Sequence, residues 1–147
     1  MLKKIATCCA FLCVMSLMTG CAVNRATATL TPGSDLSSIK SAYVVKQPKD
    51  ERGIDDLIAV NLEKRGYVVT KGPELSQPYS ADVAVTYVDK WMWDITMYMI
   101  ELTVTLRDPQ SGFPMAVGNS FHTSLTRKSP PEMVDEVIDN IHKAPKK

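Results

Sequence analysis

The sequence predicts an α+β domain: a two-layer sandwich with a mostly antiparallel sheet of about five strands and two helices on one face. Three observations point there. Two segments carry apolar residues at helical spacing, three segments alternate with period two, and Pro- and Gly-bearing breaks separate them. The expected order is strand, helix, strand, three antiparallel strands, helix.

The first strand is read at residues 41–46, a short β-branched and aromatic run. A helix follows over 50–65, with Ile54, Leu57, Ile58 and Leu62 as its apolar stripe. Asp50, Glu51, Asp55 and Asp56 stand at its positive end, Lys64 and Arg65 at its negative end, and Gly66 stops it. Residues 67–70 make the second strand, so the unit is a candidate parallel crossover. Residues 71–80, with Gly72-Pro73 and Pro78, read as a loop.

The next three strands form a meander. Residues 82–89 place Val83, Val85 and Tyr87 on one face, and residues 97–107 place Tyr98, Ile100, Leu102, Val104 and Leu106 on one face. Residues 108–112 form a turn, and residues 115–125 put Val117, Phe121 and Leu125 on one parity. Stacking these faces sets Tyr87 opposite Tyr98, Val85 opposite Ile100 and Val104 opposite Val117. Met99, Glu101, Ser120 and His122 then fall on the uncovered face. The last helix runs from about Pro130 to His142, with Met133 or Val134, Val137, Ile138 and Ile141 as its stripe. Ser129 and Glu132 make a capping box, with proline at the first helical position.

The amino-terminal end carries different information. Lys3 and Lys4 precede fourteen uncharged, mostly apolar residues from Ile5 to Met18, the form of an export signal and too short to span a bilayer. Leu17-Met18-Thr19-Gly20-Cys21 closes the run. This resembles the lipobox of bacterial lipoproteins. The resemblance implies cleavage before Cys21, a diacylglyceryl thioether on its sulfur and an acylated amino group. With Ala22 rather than Asp after the cysteine, it also implies the periplasmic face of the outer membrane, or the cell membrane in a host with one. The other reading is an ordinary signal cut nearby, leaving Cys21 a free thiol. Residues 1–20 are thus assigned as signal, 21–38 as a lipidated Cys21 with a flexible Ala/Thr/Ser-rich tether, and 39–147 as a single globular domain.

Removing the signal leaves 127 of the 147 residues and turns a formal charge of +1 into −1, because Lys3 and Lys4 depart. Cys8, Cys9 and Cys13 depart as well, so no disulfide framework is expected. Balanced charge disfavours nucleic acid. Two histidines, His122 and His142, on different elements disfavour a metal site, the scattered glycines make no phosphate loop, and no cofactor is expected. Glu101, Ser120 and His122 are the one constellation that invites comparison with a hydrolase. Two residues along a strand separate Ser120 from His122 by roughly 7 Å, too far for a shared proton.

The segment Asp89-Lys90-Trp91-Met92-Trp93-Asp94 holds both tryptophans, and it reads as either a hydrophobic lid or a contact loop. Trp91, Trp93, Met97 and Met99 are the candidate contact residues. With its lipobox and this segment, the chain resembles small bacterial envelope lipoproteins with a two-layer α/β domain, a resemblance that carries no catalytic residues. It implies a non-enzymatic lipid-anchored module that contacts an envelope protein or itself. The alternative is a small-molecule or glycan-binding lipoprotein using the Trp91–Trp93 loop.

Overall fold

A computed structural model describes residues 23–145; the signal and Cys21 lie outside the described residues. The elements are β1 (Asn24–Leu30), β2 (Ser41–Val45), α1 (Ile54–Lys64), β3 (Val68–Gly72), β4 (Val83–Asp94), β5 (Thr96–Arg107), β6 (Pro114–His122), a 3-10 turn (Ser124–Thr126) and α2 (Pro130–Lys143). They form one sheet in the order β1-β6-β5-β4-β2-β3. The α+β class holds, with six strands rather than five.

The added strand is β1. Residues 24–30 fall in the segment read as tether, yet they pair antiparallel with β6, from Asn24 opposite His122 to Leu30 opposite Ala116. The Ala/Thr alternation does have period two, but with almost no hydropathy contrast. The following residues also belong to the domain: Thr31 bonds the carbonyls of Met115 and Pro114, and Leu36 and Ile39 pack on the core.

β2 runs parallel to both β3 and β4. The β2-α1-β3 unit is therefore the expected parallel crossover, and the remaining pairs are antiparallel. Helix α1 buries Ile54, Ile58, Ala59 and Leu62, but starts later than read, because the Asp50 carboxylate accepts the Arg52, Gly53 and Asp55 amides ahead of its first turn. Helix α2 buries Met133, Val134, Val137, Ile138 and Ile141, and the Ser129 amide donates to Glu132 at 2.8 Å in the predicted box. Arg65, the residue that caps the end of α1, joins the two helices through Asp135 at 3.0 Å and Asp139 at 2.5 Å. Both share one core with Val44, Val85, Leu102, Val104 and Ala116.

The meander differs from expectation in register. Tyr87 lies opposite Val104 and Val85 opposite Leu106, because β4 and β5 continue without a loop to a tight turn at Ile95. A bulge follows Lys90: Lys90 pairs Glu101 while Trp91 pairs Met99, leaving Ile100 unpaired. The extra residue flips the parity beyond it. Met99, expected on the uncovered face, is thus 1% exposed in the core, and Ile100 is only half-buried.

In β6 the parity is the reverse of that expected. Ala116, Gly118, Ser120 and His122 face the helices, while Val117 and Phe121 face away. Close packing of α2 explains the choice: a methyl group added at Gly118 would lie 2.8–2.9 Å from Ile141 and Val137. Small residues are what this strand can place under the helix.

Candidate functional site

The four contact candidates occupy two successive cross-strand pairs, Trp91 with Met99 and Trp93 with Met97. Period two places all four on one face of the β4–β5 hairpin. The inner pair belongs to the fold: Met99 is buried, Trp91 packs on the core, its indole N–H donates to Asp89 at 2.5 Å, and the Arg52 guanidinium lies 4.0 Å over its ring. The outer pair projects. Trp93 is 69% exposed, and Met92 and Met97 are about half exposed.

The hairpin overhangs the sheet. β6 pairs with β5 only from Glu101 onward, and β2 pairs with β4 only over Val83–Val85. From Trp91 and Met99 outward the two strands have only each other. At the tip Ile95 is 87% exposed and holds φ 61°, the left-handed region. Glycine or asparagine usually occupies such a position, and a β-branched residue there costs about 1–2 kcal/mol.

A neighbouring turn braces this overhang. Arg127 donates to Thr96 Oγ1 at 2.9 Å, lies 3.6 Å from the Asp94 carboxylate, stacks 4.5 Å from the centre of the Tyr98 ring and donates to the Ser124 carbonyl at 3.0 Å. The same turn holds the start of β1, for the Thr123 amide donates to the Val23 carbonyl at 3.3 Å. It presents Leu125, 78% exposed. The tip, the turn and the start of β1 therefore stand together at one end of the sheet. Of the residues involved, Arg52, Ile95 and Arg127 were not singled out in the sequence, and Leu125 was read there only as one of the apolar residues of the strand over 115–125.

Ser120 and His122 meet a carboxylate, but not Glu101. Both lie on the helix-facing side of β6, where the Ser120 hydroxyl donates to Glu136 Oε2 at 2.6 Å and the His122 Nε2–H donates to the same oxygen at 2.7 Å. Lys128 bonds the other oxygen, Oε1. Burial alone would raise the Glu136 pKa, but the bonds from Lys128, Ser120 and His122 outweigh it and bring it down to about 2. The carboxylate sits between the serine and the histidine, so the hydroxyl proton points to an acceptor that the histidine does not relay. With Ser120 fully buried, this is a fastening of α2 to β6. Glu136 borders the α2 stripe one residue before Val137, the sequence position from which it reaches the sheet.

Glu101 lies on the opposite face, bonded by Lys90 at 2.7 Å and Asn119 at 2.9 Å, which hold its carboxyl below the usual range. The uncovered face is otherwise rich in threonine: Thr27 and Thr103 flank Asn119, and Thr29 and Thr105 flank Val117. His142 donates from Nδ1 to the Ile138 carbonyl at 2.7 Å near the end of its helix, and its Nε2 stands 2.8 Å from the Tyr67 hydroxyl. Among the described residues no three His, Cys, Asp or Glu side chains are grouped to hold a metal ion, and no helix is long and apolar enough to cross a membrane.

A cavity of about 360 Å³ opens beside Leu36, Lys40, Arg65 and Tyr67. Another of about 370 Å³ lies between the helices at Val60, Asn61, Pro131 and Asp135. A third of about 360 Å³ lies on the uncovered face at Gln77, Tyr79, Thr86 and Arg107. None of these three is lined by Trp91 or Trp93, and Arg52 covers a face of the Trp91 indole.

No protein-family model matches the chain, and no curated protein matches it by sequence. The fold is similar to that of PelC from Paraburkholderia phytofirmans, solved as a dodecamer in two crystal forms. One superposes with a TM-score of 0.59 at 14% identity over 81% of this chain and 97% of that chain. The other, of a point variant, gives 0.58 at 16% identity over 80% and 97%. At these identities the likeness is one of fold.

Proposed function

We propose that the chain is a lipid-anchored lipoprotein of the cell envelope, non-enzymatic, that acts as a protein-interaction or self-associating module at the periplasmic face of the outer membrane. The observation that carries this reading is the closeness of the candidate anchor to the fold. Cys21 stands three residues before β1, and the carbonyl of Val23 is held by the turn after β6. An export signal ending in a lipobox is thus joined almost directly to a folded domain.

Self-association draws support from the similarity to PelC, solved as a dodecamer, and from the open sheet. β1 and β3 are its two edges, and unpaired edges are open to further contacts. A head-to-tail contact repeated around an axis closes into a ring. The non-enzymatic reading rests on the burial of Ser120 and His122 beneath α2, where a substrate has no approach.

The test has two parts. Labelled palmitate enters the wild-type protein and is absent from Cys21→Ser; equal labelling of the two would refute the anchor. Native mass spectrometry of the detergent-extracted protein gives a multiple of one chain, or one chain with a second envelope protein. A lone single chain throughout would refute the interaction module.

A further inference from the structure

The exposed apolar side chains at the β4–β5 tip are not scattered. Trp93, Ile95 and Met97 crown the hairpin, Leu125 stands on the turn that braces it, and Val23 precedes β1 at the same end. We propose that this end of the domain docks into a phospholipid surface, with Trp93, Ile95, Met97 and Leu125 seated where headgroups meet acyl chains, beside the acylated Cys21. The inference rests on the anchor reading and adds to it an orientation and a set of lipid-contacting residues.

Chain length on either side of one row of the sheet makes the geometry explicit. Arg25, Phe121, Glu101 and Lys90 lie side by side across β1, β6, β5 and β4. Thr96 stands five residues beyond Glu101, roughly 15 Å along the hairpin, given a rise near 3.3 Å and one bulge. Cys21 stands four residues beyond Arg25, at most about 14 Å of extended chain. Four residues of chain therefore cannot carry the anchor farther from that row than about the height of the tip itself. Amphipathic elements at a bilayer surface sink about 5–10 Å, which is the depth such a tip can take.

The composition of the end fits an interfacial seat. Tryptophan is favoured at the headgroup level, where its ring is apolar and its N–H stays hydrated. The charges beside the tip are paired: Arg127 with Asp94, and Lys90 with Glu101. Docking would accordingly depend on apolar contact and little on headgroup charge or salt. Ile95 supplies the independent observation. An exposed isoleucine in left-handed backbone is unfavourable for the fold by itself, and a lipid surface gives that side chain a use.

The test uses the full-length protein extracted from membranes and reconstituted into phosphatidylcholine vesicles whose acyl chains are brominated near the glycerol. Trp93 emission is expected to shift to the blue and to be quenched, and the quenching should disappear in Trp93→Phe, which retains Trp91. Ile95→Asn relieves the backbone, so its thermal midpoint should be no lower. Yet the tip-docking equilibrium should fall roughly tenfold, the worth of one buried aliphatic side chain. Unquenched Trp93 in acylated, vesicle-bound protein would overturn the docking and leave the anchor standing. Emission already blue before reconstitution and indifferent to bromine would mean that another copy covers the tip, and would overturn it too. Protein without acyl chains that still binds and is quenched would support docking and refute the anchor. Protein without acyl chains that does not bind would refute both.

Discussion

Met99 and Trp93 sit two residues from each other's pairing partners on one hairpin face, yet they belong to different parts of the molecule. Met99 is enclosed by the core, so Met99→Ala should lower unfolding free energy by about 2–5 kcal/mol. Trp93→Ala, at an exposed tip, should stay within about 0.5 kcal/mol of wild type in the same urea titration. Glu136 offers a prediction with a sign. Its pKa is about 2 in the folded chain against 4.5 ordinarily, so its stabilising contribution is fully present above about pH 4.5 and is lost as pH falls toward 2. The contribution is on the order of 2–3 kcal/mol at neutral pH. Urea midpoints measured from pH 6 to pH 3 should fall more steeply for wild type than for Glu136→Gln, and parallel curves would contradict the ion cluster. The carboxylate that Ser120 and His122 would meet was not legible from strand parity alone, because the register of β6 is decided by how closely α2 approaches at Gly118.

At the scale of elements, the same contrast between strong and weak patterning decides what the sequence discloses. Both helices are legible, since Ile54, Ile58 and Leu62, and Val137, Ile138 and Ile141, repeat at helical spacing against charged surroundings. The bulge at Lys90–Trp91 is not, because Tyr98, Met99 and Ile100 are all apolar and no single parity stands out. β1 is concealed for the opposite reason: its buried side is made of Ala28 and Leu30, too little contrast to separate a strand from a tether. Deleting residues 24–30 while keeping Cys21, Ala22 and Val23 tests the difference. Loss of Leu30 from the core and of β6's partner should lower the thermal midpoint by roughly 5 °C or more. A spacer would leave it unchanged. The Trp segment is likewise strand and hairpin tip rather than a loop, because β4 and β5 turn through Ile95 alone.

Across the whole molecule these features define two ends. The carboxyl ends of β2, β3 and β4 share one end with the start of β1, the hairpin tip and the start of α2, and the Asp108-to-Gly112 turn lies at the other. The sheet presents a bare threonine-rich face and two unpaired edges, surfaces suited to a second chain, while its helical face is closed by its own core. The direction proposed for this arrangement in the cell rests on one covalent step, the proposed acylation of Cys21. Intact-mass spectrometry of the protein extracted from membranes tests that step most directly. The account predicts a chain that begins at Cys21 and carries a diacylglyceryl group on sulfur and an acyl group on nitrogen; a chain that begins later, or a Cys21 with a free thiol, would contradict it.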